Sequence, residues 1–382
     1  MHHKIGILGA GQLGKMLFQA GSILNMDITL MDMSEDNPGA QICRSFYKGD
    51  ITSYQDVLEF GKSMDIITIE IEKVNTEALL KLQELGKKIY PQPKIVALIQ
   101  DKGTQKEFYQ KHDLPSSRFK VYKNQTELLA DIENGVWSFP FIQKARKGGY
   151  DGRGVMSIDS EKQLVKNGFK EFFLVEEKIS INKEIAVITC QNVQGDIVVY
   201  DPVEMIFDNV NNILDSQQCP ADITLAQKNE IERIATNLSK ELGIIGLLAI
   251  EFFIDNDGAI LINEVAPRPH NSGHHTIESA LCSQYENHLR AISDLPLGST
   301  ELLKPSILIN LLGEEEQQGE AHIMGLSETL KLKGVYPHIY GKHMTKPSRK
   351  MGHVTILADS LDDAKKQQVL VKKHLKVIAK ER

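Results

Sequence analysis

The sequence has few cysteines and no long apolar run. The four cysteines of this 382-residue chain are far apart: Cys43, Cys190, Cys219 and Cys282. Because no Cys-x-x-Cys pair occurs, a zinc ribbon or a dithiol redox site is disfavoured, and a reduced intracellular protein is expected. No segment approaches the roughly 20 apolar residues that span a bilayer, and the N-terminus does not have the pattern of a signal peptide. We therefore expect a cytoplasmic protein with no membrane partner.

An excess of positive charge is also missing. The formal net charge is -7 at pH 7, so no global basic field attracts nucleic acid, and no nucleic-acid partner is expected. Hydrophobic residues (41%) and charged residues (25%) have the proportions of a soluble globular protein. The length suggests two or three domains. An anionic substrate would have to be bound by local clusters of cations.

The segment before Pro93 alternates between strand-like and helix-like patterns. Strands are predicted at Lys4–Leu8, Ile28–Met31 and Asp65–Ile71, and helices at Leu13–Leu24, Asp56–Lys62 and Thr76–Leu85. This alternation is typical of a parallel, doubly wound α/β sheet.

A glycine-rich segment, Gly9–Gly14, follows the first predicted strand and begins a helix, and Asp32 ends the next strand. This pattern fits the dinucleotide fingerprint, so an NAD-dependent oxidoreductase is one interpretation. Exposed amide groups at a helix N-terminus hold any phosphate, however, including that of a mononucleotide. A structural turn is the third interpretation. The rest of the chain favours a phosphate over NAD.

Beyond Pro93 the predicted elements are mixed. Helices are predicted at Lys94–Gln110 and Leu225–Leu242, and strands at Phe139–Lys144, Phe172–Val175, Ile185–Cys190, Ile197–Val203, Leu247–Ile254, Ala259–Ile262, Ser306–Leu311 and Val354–Leu357. Gly243 is a natural end for the second helix. Asp257-Gly258 between two strands is a strong hairpin signal. The polar segment Glu314–Glu320 is predicted to be a solvated loop.

Two acidic residues lie in the two strands of the predicted hairpin. If the strands pair, Glu251 and Glu264 can point to one side of the sheet. Two like charges in apolar surroundings need a cation, and Mg²⁺ prefers carboxylate oxygens together with substrate phosphates. Asn263 can add a neutral oxygen. The alternative is a pair of surface acids beside a hairpin, and the apolar surroundings favour the metal site.

The segment after this hairpin is rich in polar groups. Arg268 offers a planar fork to a bicarbonate or carboxylate, and His270 and Asn271 add polar contacts or a proton. Because His274 and His275 follow, zinc is an alternative, although no cysteine accompanies them.

A second glycine-rich segment, Lys144–Gly154, is also dense in cations. It follows a predicted strand and has the composition of a flexible lid over phosphates, although it is not a Walker A loop. An acid in such a loop would repel ATP, so Asp151 is predicted to face a second substrate and to accept a proton from an amine. The acidic segment Glu176–Ile179 is a candidate for adenine contacts, although a charged run of this kind is usually a solvated face. Glu184 is a candidate for the ribose.

In this order, these pieces resemble the ATP-grasp superfamily and, within it, the 5-(carboxyamino)imidazole ribonucleotide synthases. The resemblance covers Gly6 to about Leu357. It is most specific in Gly9–Gly14, Gln100–Lys102, Gly148–Gly154, Asn263–His274, His338–Lys342 and Arg349–His353.

The resemblance implies an ATP-grasp fold in three parts. A Rossmann-like parallel-sheet domain would span residues 1–93, and an ATP-grasp region with a small lid (about 115–180) would span 94–300. A small β-rich domain would span 301–382. Relatives in this family are typically homodimers, so a homodimer is expected. The implied reaction is the ATP- and bicarbonate-dependent carboxylation of the amine of 5-aminoimidazole ribonucleotide in purine biosynthesis, through carboxyphosphate.

The resemblance also implies roles for individual residues. The magnesium ligands would be Glu251 and Glu264, with Mn²⁺ as an alternative ion. The ATP contacts would be Lys102, Lys144, Gly149, Tyr150, Gly152, Arg153, Gly154, Glu176, Glu177, Lys178, Ile179, Glu184, Asn263 and Glu264. The ribonucleotide contacts would be Gly11, Gln12, Leu13, Glu72, Tyr150, Asp151, Arg153, Asn271, Lys342, Arg349 and Lys350. The catalytic residues would be Asp151, Arg268, His270 and Lys350.

The chain departs from the family pattern at two positions. Phe207 stands where the family offers an imidazole to ATP, and Lys102 stands where arginine is common. The nearest rival is another ATP-grasp ligase, such as a formate-dependent transformylase, which would keep both metal carboxylates. The Tyr150-Asp151 and Arg349-Lys350 pairs favour the imidazole substrate.

Overall fold

The computed structural model describes residues 3–148, 154–207 and 214–380. Within these ranges, no helix has both the length and the apolar character to cross a membrane. The predicted residues Gly149, Tyr150, Asp151, Gly152 and Arg153 lie outside the described residues.

The N-terminal part is a parallel α/β sheet. Its elements are β1 (Lys4–Leu8), α1 (Gln12–Ile23), β2 (Asp27–Asp32), β3 (Phe46–Lys48), α2 (Tyr54–Lys62), β4 (Ile66–Ile69), α3 (Thr76–Glu84) and β5 (Lys88–Ile89). The strand order β3-β2-β1-β4-β5 is that of a doubly wound sheet. The order reverses between β1 and β4, so the loops after these two strands meet at one crevice. The predicted parallel sheet is therefore confirmed, together with two strands, β3 and β5, that are too short to be predicted.

Two helices, α4 (Pro93–Ile99) and α5 (Lys102–Lys111), follow where one helix was predicted. The single-helix prediction is wrong because Asp101 interrupts it. Asp101 has an extended backbone, and its side chain accepts hydrogen bonds from the N–H groups of Gly103 and Thr104, as an N-cap residue does. A new helix therefore starts at Lys102.

A small four-stranded sheet lies within the predicted lid. Its elements are β6 (Phe119–Asn124), α6 (Gln125–Glu133), β7 (Phe141–Ala145), β8 (Val155–Ile158), α7 (Glu161–Asn167) and β9 (Glu171–Glu177). The strand order is β6-β9-β7-β8. One face packs an apolar core around Phe141, Phe173 and Val175. Because side chains alternate along a strand, Lys144 of β7 and Glu176 of β9 lie on the other face.

The central part contains β10 (Ile181–Gln191), β11 (Ile197–Val199), β12 (Val203–Phe207), β13 (Leu214–Cys219), α8 (Leu225–Leu242), β14 (Gly246–Asp255), β15 (Ile260–Ala266), a 3₁₀ turn (Asn271–Gly273), α9 (Thr276–Ser279) and α10 (Gln284–Ile292). The predicted strand Ile197–Val203 is two strands. The predicted helix Leu225–Leu242 is confirmed. It starts with a capping box of Thr224 and Gln227 and ends at Gly243, which is left-handed with φ of 60°.

The C-terminal part contains β16 (Ser306–Leu312), β17 (Gly319–Met324), α11 (Leu326–Thr329), β18 (Val335–Ile339), β19 (Met344–Thr345), β20 (Lys350–Leu357), α12 (Leu361–His374) and β21 (Lys376–Ala379). The loop predicted at Glu314–Glu320 ends earlier, because β17 begins at Gly319. The order β15-β14-β10-β12-β13-β16-β20-β18 makes one antiparallel sheet of the central and C-terminal strands, with β11 paired to β10. The sheet is thus continuous across residue 300, and the proposed domain limits stay a prediction.

The N-terminal sheet shares its core with the central part. One face packs α1 and the α10 residues Tyr285, Leu289 and Ile292, and the opposite face packs α2 and α3. A buried hydrogen bond of 2.7 Å joins Thr68 Oγ1 of β4 to His288 Nε2 of α10. This contact joins β4 of the N-terminal sheet to α10 of the central part.

Candidate active site

The two carboxylates of the β14–β15 hairpin lie directly opposite each other. Glu251 and Glu264 are cross-strand partners, as the Asp-Gly turn predicted. A β-bulge follows, because Phe252 pairs with Ile262 and leaves Asn263 as an extra residue. The bulge turns Asn263 to the side of the carboxylates, where its Nδ2 lies 3.4 Å from Glu251 Oε2. Three oxygen-bearing side chains therefore converge on one face.

A lysine from another element contacts this pair. The Lys102 ammonium donates to Glu264 Oε2. Lys102 is the first residue of α5, and its backbone N–H donates to Arg146 O at 2.9 Å. Asp101 in turn pairs with the Arg146 guanidinium through two hydrogen bonds of 2.9 and 2.8 Å. The break between α4 and α5 at Asp101 therefore starts α5 at Lys102 and places the Lys102 side chain next to the carboxylates.

The two carboxylates differ in their ionisation. Burial and the nearby charge of Glu264 raise the pKa of Glu251, whereas for Glu264 the effect of burial is overcome by Lys102, which lowers its pKa. The pair fits a cation such as Mg²⁺, because the Lys102 ammonium already lies against Glu264. Within the described ranges, no three His, Cys, Asp or Glu side chains are placed to hold a metal ion. Two carboxylates completed by phosphate oxygens are the pattern that Mg²⁺ uses.

We expect the binding of Mg·ATP to release a proton near neutral pH. Since the pKa of Glu251 is raised, part of the free protein carries a proton there, and Mg²⁺ must displace it. The release should shrink as pH rises above the pKa of Glu251. Calorimetric titrations in phosphate and Tris buffers between pH 6 and 9 measure it as a buffer-dependent enthalpy.

Glu184 provides the control for this measurement, because burial raises its pKa to about 7. Proton release that persists in Glu184→Gln comes from the metal carboxylates. A buffer-independent enthalpy for that variant throughout the pH range would contradict the expectation.

A buried ion cluster lies beside the hairpin. Glu176 is 3% exposed, and its Oε2 is 3.2 Å from Lys144 Nζ and 3.4 Å from Lys106 Nζ. Ser117 Oγ donates to the same oxygen at 2.9 Å. Lys144 also donates to Asn263 Oδ1 at 3.2 Å, so the cluster reaches the candidate metal site. The side chain of Glu176 is committed to these cations, and its backbone lies within the sheet, opposite Phe119 of β6 and Ile142 of β7. An adenine contact by Glu176 stays a prediction.

The other predicted ATP residues that the structure describes lie on β9, on β10 and in the segments next to the lid strands. Glu177 is exposed, and Ile179 follows the end of β9. Lys178 Nζ donates to Ser157 Oγ at 2.9 Å. Glu184 is half-buried in β10, beside Phe253 of β14. Gly154, with φ of 79°, accepts a hydrogen bond from Ala145 N–H at 2.8 Å where the glycine-rich segment returns to the sheet.

Of the predicted bicarbonate residues, His270 lies next to a hairpin carboxylate. His270 Nε2 is 3.6 Å from Glu251 Oε1, and its Nδ1 is 2.9 Å from Ser272 Oγ. Arg268 Nε forms an ion pair of 2.9 Å with Glu72 Oε1. The Asn271 amide nitrogen is buried without a hydrogen-bond partner among the described residues. Such a group calls for an acceptor, which a bound ligand or an ordered water can supply.

The histidines that suggested zinc have other partners. His274 Nδ1 lies 2.6 Å from Tyr285 Oη, and His275 Nδ1 lies 2.6 Å from Ser279 Oγ. Both are buried, and burial lowers the pKa of His275 to about 4. The zinc interpretation therefore has no support from the described residues.

Amide groups of the first glycine-rich segment, Gly9–Gly14, are hydrogen-bonded to acidic side chains of the same chain. Gly11 N–H donates to Glu70 Oε1 at 2.5 Å, and Gly14 N–H donates to Glu70 Oε2. Ala10 N–H donates to Asp32 Oδ2 at 2.8 Å. The amides of Ala10, Gly11 and Gly14 are thus already paired within the chain, so they are not available to a phosphate of NAD or of a mononucleotide, and the structural-turn interpretation accounts for them. Glu70 was missed from the sequence, although its place at the end of the strand beside β1 was a usable signal.

The C-terminal cations lie near this crevice. Lys342 Nζ donates to Lys350 O at 2.8 Å, and Arg349 Nη1 donates to Met344 O at 2.7 Å. From α1, Lys15 Nζ donates to Ile339 O at 3.1 Å and to Tyr340 O at 3.0 Å. The predicted residues Gly11, Gln12 and Leu13 form the N-cap and the first positions of α1, the helix whose Lys15 contacts the C-terminal part.

Three family models match successive parts of the chain. The Ribonucleotide synthetase preATP-grasp domain matches residues 1–100, and the ATP-grasp domain matches residues 107–285. The Phosphoribosylaminoimidazole carboxylase C-terminal domain matches residues 306–367. Their order follows the three structural parts described above.

Relatives match over nearly the full chain. The N5-carboxyaminoimidazole ribonucleotide synthase of Bacillus subtilis is 34% identical over 366 residues, covering 94% of this chain and 92% of that protein. The phosphoribosylaminoimidazole carboxylase of Ogataea methanolica is 33% identical over 375 residues, covering 95% of this chain and 68% of that longer protein.

Solved structures show the same similarity. The N5-carboxyaminoimidazole ribonucleotide synthetase from Thermotoga maritima has a TM-score of 0.91 at 39% identity and covers 99% of this chain and 100% of that one. The Aspergillus clavatus enzyme in complex with ADP and 5-aminoimidazole ribonucleotide has a TM-score of 0.87 at 28% identity, covering 97% and 98%. This chain therefore belongs to the N5-carboxyaminoimidazole ribonucleotide synthase family of ATP-grasp ligases.

Proposed function

We propose that this chain carboxylates the amine of 5-aminoimidazole ribonucleotide with bicarbonate and ATP, giving 5-(carboxyamino)imidazole ribonucleotide, ADP and phosphate in purine biosynthesis. The observation that carries the proposal is the cross-strand pair Glu251 and Glu264, which lies against Lys102 with His270 beside it. The family of the chain and the names of its relatives support the same reaction.

In the first step, a bicarbonate oxygen would attack the γ-phosphorus of ATP. The new O–P bond gives carboxyphosphate, and the bond to the β-phosphate oxygen breaks to release ADP. Mg²⁺ on Glu251 and Glu264 would neutralise charge on the phosphates when bound. Lys102 and Lys144 would bind the phosphates, and Arg268, held by Glu72, would orient bicarbonate.

In the second step, the ribonucleotide amine would attack the carboxyl carbon, and phosphate would leave. The amine loses one proton, for which Asp151 is the proposed acceptor. Lys342, Arg349 and Lys350 would bind the ribonucleotide together with Asn271, whose buried amide nitrogen needs an acceptor. The segment containing Tyr150 and Arg153 would cover the site and exclude water, which would destroy carboxyphosphate. A homodimer, a cytoplasmic location and Mg²⁺ as the ion stay predictions.

ADP formation tests this proposal directly. We expect ADP release in bicarbonate to rise when 5-aminoimidazole ribonucleotide is added, with one carboxylated product formed per ADP. Formate and free amino acids in place of bicarbonate and ribonucleotide should leave ADP release at its background. Ribonucleotide-independent turnover with formate or an amino acid would assign the chain to another ATP-grasp activity.

A further inference from the structure

A carboxylate of the chain itself occupies the N-terminal end of α1. Glu70 follows β4 and is 7% exposed, and its two oxygens accept hydrogen bonds from the N–H groups of Gly11 and Gly14. A negative charge at this end of a helix is favourable, because the helix dipole and the unpaired N–H groups both attract it. Glu70 thus stands where a phosphate would bind in a dinucleotide site.

The glycines of the fingerprint lie close to this carboxylate. A Cβ atom at Gly9 would lie 2.3 Å from Glu70 Cγ, and a Cβ at Gly11 would lie 2.6 Å from Glu70 Oε1. At Gly14 it would lie 3.2 Å from Glu70 Oε2 and 2.7 Å from Gly9 O. Gly9 and Gly11 therefore make room for the buried carboxylate, whereas Gly14 makes room mainly for the carbonyl oxygen of Gly9. This internal contact explains two of the three glycines of the fingerprint.

The helix fixed by Glu70 reaches the C-terminal cations. Lys15 follows Gly14 directly, and its ammonium donates to the carbonyls of Ile339 and Tyr340. Lys342 lies two residues after Tyr340, and its ammonium donates to the carbonyl of Lys350 at 2.8 Å. A continuous series of hydrogen bonds and short chain segments thus connects Glu70 with the cations proposed to bind the ribonucleotide.

We propose that Glu70 is a positioning residue for the ribonucleotide site. It fixes the start of α1. Lys15, in the first turn of that helix, then holds the segment that contains Lys342 through its hydrogen bonds to the carbonyls of Ile339 and Tyr340. Glu72, two residues after Glu70, holds Arg268. The end of β4 would therefore set the distance between the ribonucleotide cations and the bicarbonate residues. The inference rests on the proposed function, because it assumes that the ribonucleotide binds at Lys342 and Lys350.

The test uses Glu70→Gln and Lys15→Met in the full chain, with Thr68→Val as the matched control. Thr68 is fully buried in β4, and its hydroxyl bonds His288, away from the glycine segment. We expect KM for the ribonucleotide to rise about tenfold in Glu70→Gln and Lys15→Met, because each change removes hydrogen bonds at the start of α1, while KM for ATP changes less than about twofold. Thr68→Val should lower the unfolding temperature without changing the ratio of the two KM values. Lys15→Arg should restore much of the ribonucleotide affinity.

Hydrogen exchange measured by mass spectrometry supplies a second readout. Glu70→Gln should speed amide exchange in residues 9–18 and also in 336–345, whereas Lys15→Met should speed mainly the second segment. Unchanged exchange in 336–345, or equal rises in both KM values, would overturn the positioning role. If wild-type protein shows no ribonucleotide-dependent ADP formation, the proposed function fails, and the exchange data still decide whether Glu70 controls the C-terminal segment.

Discussion

Glu264→Gln is expected to lower the rate of ADP formation by at least about 10³-fold, because it removes one of two carboxylates that would hold the metal between the phosphates. The same change leaves Lys102 without its ionised partner and next to Glu251. We expect Lys102 to bind Glu251 instead, which further reduces the affinity for Mg²⁺. Initial rates at Mg²⁺ concentrations from 0.1 to about 50 times the wild-type requirement measure both effects.

Asp215→Asn provides a matched control on the same sheet. Asp215 of β13 pairs with Lys372 of α12 at 2.5 Å, and its side chain is 38% exposed, close to the 40% of Glu264. Loss of this ion pair should cost only about 0–1 kcal/mol of stability, as for other exposed pairs, and leave the Mg²⁺ dependence of the rate unchanged. Glu264→Gln protein with wild-type activity and Mg²⁺ requirement would remove the hairpin carboxylates from the mechanism.

Local patterns in the sequence were sufficient to predict the hairpin. A two-residue Asp257-Gly258 turn predicts that Glu251 faces Glu264, and the structure has this pair. The strands next to the turn pair one residue out of that register, with Ile254 opposite Ile260, and the bulge at Asn263 restores it. The bulge at Asn263 could not be foreseen, because regular alternation places adjacent side chains on opposite faces. A bulge depends on how the rest of the sheet packs, and no local signal marks it here.

Other parts of the site depend on tertiary contacts. The acidic segment around Glu176 looks like a solvated charge run in the sequence, and its burial follows from two lysines on other elements, Lys106 and Lys144. The break before α5 was locally visible, because Asp101 is a good N-cap residue. The role of Glu70 could be predicted only in part. The parallel sheet predicts that β1 and β4 end side by side, but the contact between the Glu70 carboxylate and the start of α1 is visible only in the folded structure.

Glu176→Gln is expected to lower both stability and turnover. The carboxylate is buried between two ammonium groups, and its neutralisation would leave Lys106 and Lys144 repelling each other in a site with little water. Removing one partner of a buried ion cluster costs about 3–5 kcal/mol. Because Lys144 also bonds Asn263 at 3.2 Å, we expect its displacement to lower kcat by about 100-fold. Thermal unfolding and initial rates with saturating ATP measure the two effects.

The pH dependence of the unfolding temperature distinguishes the loss of this ion cluster from general damage to the predicted lid. Burial would raise the pKa of Glu176, but Lys144 and Lys106 outweigh it and lower the pKa below the ordinary value of 4.5. Its contribution is therefore present above pH 4.5 and is lost as pH falls through the lowered pKa. The difference in unfolding temperature between wild type and Glu176→Gln should narrow in that acidic range. Glu171→Gln, at the exposed other end of β9, should show no such difference at any pH. If the difference in unfolding temperature between wild type and Glu176→Gln stays constant from neutral to acidic pH, the charge of Glu176 does not stabilise the predicted lid.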